Sequence, residues 1–232
     1  MYYAIPGRAR AWRSFYAALF KPEELAFDIG AHAGNRCRAF LAAGARVVAL
    51  EPQPMFASLL RSLYGSNPNF TLIAAAAGAS EAETELLISS RTPTVSTVSG
   101  DWAAQVKADT SFSTVEWDQR VIVPMRSLDS LIAQFGIPAL CKIDVEGYEH
   151  EVLLGLSQPI RWLSYEFVPA ALERAWPCLD RLGELGYREF NFIKGEYPRF
   201  ASPSWLSAAD LRRQISALPN DGRAGEIHAR IA

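Results

Sequence analysis

The segment FDIGAHAGN at residues 27–35 has residue types that suit both charged groups of an amino acid. It follows a short apolar run, and Gly30 and Gly34 allow the backbone to turn tightly and approach a ligand. A helix that begins beyond Gly34 would direct free N–H groups and the positive end of its dipole at an anion. Asp28 can accept a hydrogen bond from an ammonium group. The segment therefore predicts a site for the ammonium and carboxylate of one ligand.

A second acid stands about 20 residues further on, at the separation typical of a nucleoside site. Glu51 follows the apolar run at residues 46–50 and precedes Pro52. A carboxylate at the end of the second strand is placed to hold two ribose hydroxyls. An exposed glutamate before a turn is the alternative interpretation, but the loop and the acid occur together, which favours a nucleoside.

The spacing of the glycines favours one class of nucleoside over another. The dinucleotide motif G-x-G-x-x-G needs its second glycine so that a pyrophosphate can approach the backbone. His32 occupies that position here, in the sequence GAHAG. This disfavours NAD and favours a ligand without a pyrophosphate, such as S-adenosylmethionine.

A second group of charged residues lies in CKIDVEGYEHEVLLG at residues 141–155. Lys142 and Asp144 share one face of a predicted strand end, and Glu146 follows before a turn into a helix. A carboxylate there could act as a general base toward a hydroxyl, a contribution of roughly 10²–10⁴-fold. Asp144 is the first candidate for this base and Glu146 the second. Glu166, at the end of the next predicted strand, is expected either to bind substrate or to close an ion pair.

Each of these residues also has a purely structural interpretation. Asp144 could satisfy backbone donors at a helix N-terminus, and Lys142 could pair with it rather than with a substrate anion. Glu146 and His150 have the i, i+4 spacing that a metal site on a helix would use. No metal is predicted, because Glu146 precedes the helix and a solvated His150 is the simpler interpretation.

The elements that must position these residues alternate along the chain. Apolar runs at residues 25–29, 46–50 and 70–76 predict buried strands, and apolar residues at helical spacing lie between them at 37–44 and 56–63. This order implies a parallel sheet with right-handed crossovers. Later in the chain the same patterns predict strands at 83–89, 121–123, 140–145, 162–167 and 187–193, and helices at 128–135, 172–182 and 203–218.

The region at residues 91–117 begins as a loop rich in Ser, Thr, Pro and Gly and carries three aromatic residues, Trp102, Phe112 and Trp117. Long irregular loops in compact domains are often functional, so this region is a candidate lid over the substrate. Ordinary packing of the aromatic side chains is the alternative.

The length of 232 residues suits one α/β domain rather than two. We expect a helical extension at residues 1–24, the main domain at 25–218, and a tail at 219–232 that is disordered, because it is rich in glycine and arginine.

The composition limits the partners and the compartment. The formal net charge is −2, so no basic excess indicates nucleic acid. The three cysteines have no metal or disulfide spacing, and buried thiols fit a reducing, cytoplasmic location. We expect no signal peptide, because no apolar run of about 7–15 residues with a small-residue cleavage site follows the N-terminus. We expect no membrane span, because the chain has no apolar run of about 18 residues.

The motifs together resemble one family. The segments DIGAHAGN, ALEPQP, LDSL, KIDVEGYEHEVLLG and SYEF occur in the order and spacing of the FkbM family of methyltransferases, over residues 25–166. The resemblance implies a Rossmann-like class I methyltransferase fold, with a mostly parallel seven-stranded sheet and helices on both faces. It also implies S-adenosylmethionine as cofactor and a hydroxyl of a polyketide, sugar or related natural product as acceptor.

The resemblance also assigns residues by position. Glu51 and Pro52 match the ribose motif, and Ala75 and Ala76 match the adenine side without the acid that many methyltransferases have there. His32 stands where the family often has Asn, and this departure could alter the hydrogen bonds of the loop. The resemblance further matches Asp28, Gly30 and Gly34 to the first cofactor motif, and Asp144 and Glu146 to the signature acids near the methyl group.

Two other functions remain open at this point. A nicotinamide-dependent oxidoreductase would share the fold, although the missing glycine and the lack of a Tyr-x-x-x-Lys pair weigh against it. A non-catalytic nucleoside-binding subunit would share the site, although the four acids Asp28, Glu51, Asp144 and Glu146 weigh against that. The identity of the acceptor and the oligomeric state do not follow from the sequence, because a fold does not determine its substrate.

Overall fold

The computed structural model describes residues 7–107, 113–195, 197–219 and 223–231. Within these ranges the strands are β1 Leu25–Ile29, β2 Arg46–Leu50, β3 Phe70–Ile73, β4 Ala76–Ala77, β5 Ala82–Ile88, β6 Gln119–Arg126, β7 Leu140–Ile143, β8 Trp162–Phe167, β9 Glu189–Lys194 and β10 Gly225–Arg230. The α-helices are α1 Arg8–Ala17, α2 Asn35–Ala42, α3 Pro54–Tyr64, α4 Gly100–Val106, α5 Leu128–Phe135, α6 Glu149–Leu154, α7 Leu172–Glu184 and α8 Ala208–Ser216.

The main sheet has seven strands in the order β3-β2-β1-β7-β8-β10-β9. The first five strands in this order, β3, β2, β1, β7 and β8, pair in parallel. Strand β10 is antiparallel to both of its neighbours. The chain proceeds from β1 toward β3 on one side and from β7 onward on the other, so the strand order reverses between β1 and β7. Ligands of open α/β sheets bind beyond the carboxyl ends of the strands at such a reversal.

Helices cover both faces of the sheet, as predicted. Alternate strand residues point to opposite faces, so Phe27 and Ile29 pack with residues of α5 to α8, whereas Ala26 and Val47 pack with residues of α1 to α3. All five residues of β1 are buried, which explains why this strand is an unbroken apolar run apart from Asp28. The predicted architecture, a mostly parallel seven-stranded sheet with helices on both faces, is therefore confirmed.

The third strand is shorter than the sequence predicted. It ends at Ile73 because the chain turns there, and the N–H of Ala75 donates to the carbonyl of Ile73 at 3.0 Å. Ala76 then enters β4, which belongs to a separate three-stranded sheet with β6 and β5. The prediction of one strand over residues 70–76 is wrong in this respect, although Ala75 still lies just beyond the end of β3.

The expectation of a disordered tail is wrong for residues 225–230. These residues form β10, which inserts between β8 and β9. Gly225 permits the insertion, because a Cβ atom there would lie 2.4 Å from the ring of Phe167. Ile227 is buried on one face, and His228 on the other is paired with Glu226 at 3.2 Å.

The region at residues 91–117 is, in its described parts 91–107 and 113–117, more ordered than the pattern indicated. It contains a short 3₁₀ turn at Pro93–Val95 and the helix α4, whose N-cap Ser99 accepts from the N–H of Trp102 at 3.2 Å. Trp102 is buried and packs edge-on against Trp117, which favours ordinary packing over a lid for these two side chains. Phe112 lies outside the described residues.

The remaining structural expectations concern the termini, the cysteines and the membrane. The N-terminal extension is helical at α1, as predicted. Cys37, Cys141 and Cys178 are free and buried. No helix in the described ranges is both long and apolar enough to span a bilayer.

Candidate active site

A cavity of about 1170 Å³ opens where the carboxyl ends of β1, β2, β7 and β8 meet. It lies at the reversal of strand order, where the fold predicts a ligand. Most residues that the sequence assigned to the site line this cavity: Asp28, Gly30, His32, Glu51, Pro52, Ala75, Ala76, Asp144, Glu146 and Glu166. Gly34 and His150 are not among its lining residues.

The two glycines of the first loop have different structural roles. Both adopt φ near +80°, which favours glycine. A Cβ on Gly30 would lie 1.8 Å from the carbonyl oxygen of Asp144, so the close approach at this position is to the neighbouring strand end. A Cβ on Gly34 would lie 2.6 Å from Leu60, so this glycine lets α2 pack against α3.

Asp28 is fully buried at the floor of the cavity. Its Oδ2 accepts from the thiol of Cys37 at 2.9 Å, whereas its Oδ1 has no hydrogen-bond partner among the described residues. Burial raises the pKa of Asp28, and the nearby charge of Lys142 opposes this shift. A buried acceptor without a partner is uncommon in native structures, and a donor on a ligand would satisfy it.

Glu51 is held in place by two backbone donors. Its Oε2 accepts from the N–H of His32 at 2.7 Å and its Oε1 accepts from the N–H of Gln53 at 2.8 Å. Burial raises the pKa of Glu51 to about 7, although both hydrogen bonds oppose the shift. Each oxygen keeps a further lone pair for a ligand hydroxyl. The arrangement links the first loop to the end of β2, so the two sequence motifs form one surface.

His32 has a backbone conformation that explains its residue type. Its φ is 48°, in the left-handed region where Asn, Asp and His are enriched among non-glycine residues. The departure from Asn therefore preserves the turn. The ring packs against Phe56 with centroids 3.8 Å apart. Burial lowers the pKa of His32 to about 4, so the imidazole is neutral at physiological pH.

Lys142 and Asp144 form an ion pair. The Nζ of Lys142 lies 2.7 Å from Oδ2 of Asp144, and the lysine side chain is 5 % exposed while that of Asp144 is 31 % exposed. Burial disfavours the charged amine, but the carboxylates of Asp144 and Asp28 outweigh it and raise the pKa of Lys142. The ion pair that the structural interpretation of Lys142 required is present, and both residues line the cavity.

Asp144, Glu146 and Glu166 form a carboxylate cluster, with one oxygen of each within 4.8 Å of the others. Burial, and next the charge of Asp144, raise the pKa of Glu146 and of Glu166 well above the ordinary value. Like charges this close disfavour one another's ionisation, so Glu146 and Glu166 hold their protons to higher pH than carboxyls in water do. The same three oxygens are also close enough to share a cation, and His150, which lies 3.6 Å from Glu151, does not belong to this group.

The turn that carries Glu146 is conformationally strained. Glu146 has φ 54° and Gly147 has φ 86°, and a Cβ on Gly147 would lie 2.1 Å from Trp102. The hydroxyl of Thr97 donates to the carbonyl of Glu146 at 2.8 Å. Strain of this kind persists only where neighbouring groups hold it, so α4 and the segment before it fix the direction of Glu146.

The sequence interpretation missed Glu149, which supports the same turn from inside. Its Oε1 accepts from the N–H groups of Val145 at 3.0 Å and Gly147 at 3.2 Å. The side chain is buried, and burial raises its pKa to about 7. An acid at the first position of α6 is a helix-capping signal that could have identified it.

The comparisons with known proteins agree with this geometry. The model of the methyltransferase FkbM domain matches residues 28–177, more than half of the chain, including both charged motifs. The chain belongs to the FkbM family of methyltransferases. It is therefore an S-adenosyl-L-methionine-dependent methyltransferase, and none of the comparisons supports a nicotinamide-dependent oxidoreductase.

Solved structures resemble this FkbM methyltransferase in fold. Cofactor-bound Rv0187 from MTB has 13% identity and a TM-score of 0.50, over 98% of this chain and 81% of that one. Precorrin-6y C5,15-methyltransferase from Geobacter metallireducens has 13% identity and a TM-score of 0.49, over 97% and 86%. A SAM-dependent O-methyltransferase from Thermotoga maritima has 13% identity and a TM-score of 0.46, over 99% and 66%. The search of curated proteins returned no match.

Proposed function

We propose that this FkbM methyltransferase transfers a methyl group to a hydroxyl oxygen of a small molecule or glycan. The observation that carries the proposal is the cluster of Asp144, Glu146 and Glu166 on the cavity wall. An alcohol is a weak nucleophile at neutral pH, and a base in contact with its proton accelerates the transfer by roughly 10²–10⁴-fold. An amine acceptor would lose its proton more readily and would need such a base less.

The first loop and the end of β2 have the donors and acceptors that S-adenosylmethionine requires. Asp28 has an acceptor without a partner for an ammonium group, and the N-terminus of α2 directs N–H groups at a carboxylate. Glu51 is positioned for the ribose hydroxyls, and Ala75 and Ala76 line the side proposed for adenine. When bound, the cofactor supplies an activated methyl group, and the protein contributes orientation.

Glu146 is the general base in this proposal. The sequence ranked Asp144 first, but its Oδ2 lies 2.7 Å from the Nζ of Lys142, so this oxygen is already bound to the amine. For Glu146, burial and the charge of Asp144 outweigh the charge of Lys142, so its pKa is raised. Asp144 then holds the acceptor hydroxyl and keeps the pKa of Glu146 high, while Glu166 contacts the acceptor from β8.

The size of the cavity supports two ligands at once. Cavities for one small ligand have volumes of about 300–1,000 Å³, and this one has about 1170 Å³. The lining extends from Glu51 and Ala76 past the carboxylate cluster to α1 and the β9–β10 connection. A cofactor at one end would leave room for an acceptor beyond Glu166.

The test is a transfer assay with isotope-labelled S-adenosylmethionine and matched acceptors that differ only in a hydroxyl or an amine. We expect formation of S-adenosylhomocysteine together with a methyl ether on the hydroxyl compounds. Glu146→Gln serves as the variant, and Glu151→Gln, on the exposed side of α6, serves as its matched control.

Two results would contradict the proposal. One is methylation of the amines with no methyl ether on any hydroxyl partner. The other is a methyl ether that forms equally fast in the Glu146→Gln variant, which would remove the base from the mechanism and leave only the family assignment.

A further inference from the structure

The cavity continues beyond the cofactor residues to a wall that is rich in positive charge. This basic wall is built from α1, from α2 and from the connection between β9 and β10. Its cationic residues are Arg8, Arg10 and Arg13 of α1, Arg36 and Arg38 of α2, and Lys194 and Arg223.

The basic wall contrasts with the rest of the molecule. The whole chain has a formal net charge of −2, so a concentration of cations in one cavity is not a consequence of composition. The acids that line the cavity lie at the ends of the strands or in the turn after β7: Asp28, Glu51, Asp144, Glu146 and Glu166. Among the described lining residues, no acid lies on α1, on α2 or in the β9–β10 connection. Acids therefore form the floor and cations the outer wall.

Strand register places part of the basic wall close to the reaction site. Gly225 of β10 pairs with both Phe167 of β8 and Lys194 of β9. Lys194 is therefore level with Phe167, one residue further along the sheet than Glu166. Strands lie about 4.8 Å apart, so two strand spacings separate the two positions by about 10 Å. The N–H of Gly195 donates to the carbonyl of Ala224 at 2.8 Å, which holds Arg223 at the same edge.

The opposite part of the basic wall is anchored by Arg36. Its guanidinium carbon lies 3.5 Å from the centroid of the Trp12 ring, and its Nη2 lies 3.5 Å from Oε2 of Glu226. Trp12 is buried, and Phe15 packs against the ring of His228 at 5.6 Å. These contacts fix α1 on α2 and β10, so the arginines of α1 border the cavity on a packed helix.

We propose that the acceptor of this methyltransferase carries an oxyanion, a phosphate or a carboxylate, which the basic wall binds while the hydroxyl faces the carboxylate cluster. The inference rests on the proposed function, since it names the acceptor class of the same cavity. Guanidinium groups bind both oxyanions through paired hydrogen bonds. The cationic wall also offsets the repulsion that an anion would meet from Asp144, Glu146 and Glu166.

The first experiment measures binding to the full chain saturated with S-adenosylhomocysteine. The probes are inorganic phosphate, glucose 6-phosphate, glucuronate and glucose. The test variant is the double substitution Arg10→Gln and Arg13→Gln, two exposed positions on α1. The matched control is Arg61→Gln, an exposed arginine of α3 that does not line the cavity.

We expect the anionic probes to bind at least about tenfold more tightly than glucose, and this advantage to fall severalfold in the double variant and at high salt. The two anionic sugars distinguish phosphate from carboxylate. Affinity for S-adenosylhomocysteine should stay within about twofold in the variant and the control. Equal binding of glucose and its anionic relatives would overturn the inference. A large loss of S-adenosylhomocysteine affinity in the double variant would also overturn it, since the basic wall would then serve the cofactor carboxylate. Binding of an RNA oligonucleotide in preference to every sugar phosphate would overturn it as well.

The failures of the two proposals are distinguishable. Anion binding that the double variant weakens supports the basic wall even if no hydroxyl is methylated. Methyl ether formation at the same rate on glucose and on its anionic relatives, unchanged in the double variant, would support the proposed function and overturn the oxyanion.

Discussion

The amine of Lys142 lies 2.7 Å from a carboxylate oxygen of Asp144, and this contact joins a buried cation to a half-buried acid of the active site. Register places Lys142 beside Asp28 on the adjacent strand, so one lysine stands between the acid of the first loop and the acid of the second motif. Asp144 in turn raises the pKa of Glu146 and of Glu166. A single ion pair thus connects the proposed cofactor and acceptor parts of the cavity.

Replacement of Asp144 by Asn should reduce turnover far more than cofactor affinity. The variant removes the charge that keeps the pKa of Glu146 high and the oxygen that we place on the acceptor, so we expect kcat to fall by about 10²-fold or more. The dissociation constant of S-adenosylhomocysteine should change by less than about threefold. Steady-state kinetics and calorimetry measure the two quantities.

The stability of the Asp144→Asn variant must be measured together with its turnover, because the substitution removes a counter-ion of Lys142. The Asp144→Asn variant leaves the amine with Asp28 as its remaining counter-ion, and we expect the free energy of unfolding to fall by about 1–3 kcal/mol, because Asp144 is partly solvated. A variant that unfolds at the assay temperature cannot support the catalytic role. Near-normal turnover in a folded variant would remove Asp144 from that role.

Binding of S-adenosylhomocysteine should strengthen as the pH rises through neutrality. Folding raises the pKa of Glu51 from 4.5 to about 7. The contribution of this residue to the stability of the unliganded protein is therefore fully present below pH 4.5 and is lost as the pH rises through about 7. Ribose hydroxyls donate to the ionised form, whose fraction increases about tenfold between pH 6 and pH 8. We expect a dissociation constant about tenfold lower at pH 8 than at pH 6, measured by calorimetry.

The Glu51→Gln variant isolates this contribution from that of Asp28, whose pKa is also raised by burial. The variant should bind S-adenosylhomocysteine at least about tenfold more weakly at pH 8 and should lose most of the pH dependence. If wild type and variant follow the same pH curve, Glu51 does not hold the ribose.

The pH dependence of turnover should depend on the neighbours of Glu146. The base must be ionised to accept a proton, so kcat should increase with pH as Glu146 loses its own proton. Because the pKa of Glu146 is raised well above 4.5, this rising limb of the pH profile should lie at correspondingly higher pH. The charge of Glu146 is among the causes that raise the pKa of Glu166. Glu166→Gln removes one like charge from the cluster, so the limb should move to lower pH. An unchanged limb in Glu166→Gln, or a limb that persists in Glu146→Gln, would contradict our choice of base.

The sequence predicted the parts of the fold that depend on local patterns. The strands at 25–29, 46–50 and 162–167 have the predicted boundaries, because each is a mostly apolar segment whose ends are marked by a change in residue type. The strand β10 was missed because its identity depends on the gap between β8 and β9, which no local pattern records. The same reason applies to the early end of β3, where pairing with β6 determines the position of Ala76.

In the candidate site too, some residues could be found from local sequence patterns, whereas others are brought together only by the fold. The acids Asp28, Glu51 and Asp144 could be found because each ends a strand, and parallel strand ends meet at one edge. The basic wall could not be found, since Arg13 and Arg223 are separated by most of the chain and only the packing of α1 and the insertion of β10 bring their segments to one cavity. Glu149 was missed because its role is to support a turn, and its type alone indicated only a helix start.

Glu149 gives the last prediction, because it acts on the site through the backbone. Its carboxylate holds the N–H groups of Val145 and Gly147, on either side of the strained Glu146. Glu149→Ala should leave both donors buried without a partner, at a cost of about 1–3 kcal/mol in the free energy of unfolding. Because Glu146 is then no longer directed at the acceptor, kcat should fall by about tenfold or more, while KM and cofactor affinity change little.

The Glu149→Gln variant separates positioning from stability. Its amide oxygen can still accept from both backbone groups, so turnover should return to near the wild-type value. Glu151→Ala, two residues further along α6 and more exposed, is the matched control and should have no effect on kcat. If Glu149→Ala retains full turnover while folded, or if Gln fails to restore it, the turn does not depend on this carboxylate and the direction of Glu146 must be fixed by Thr97 and Trp102 alone.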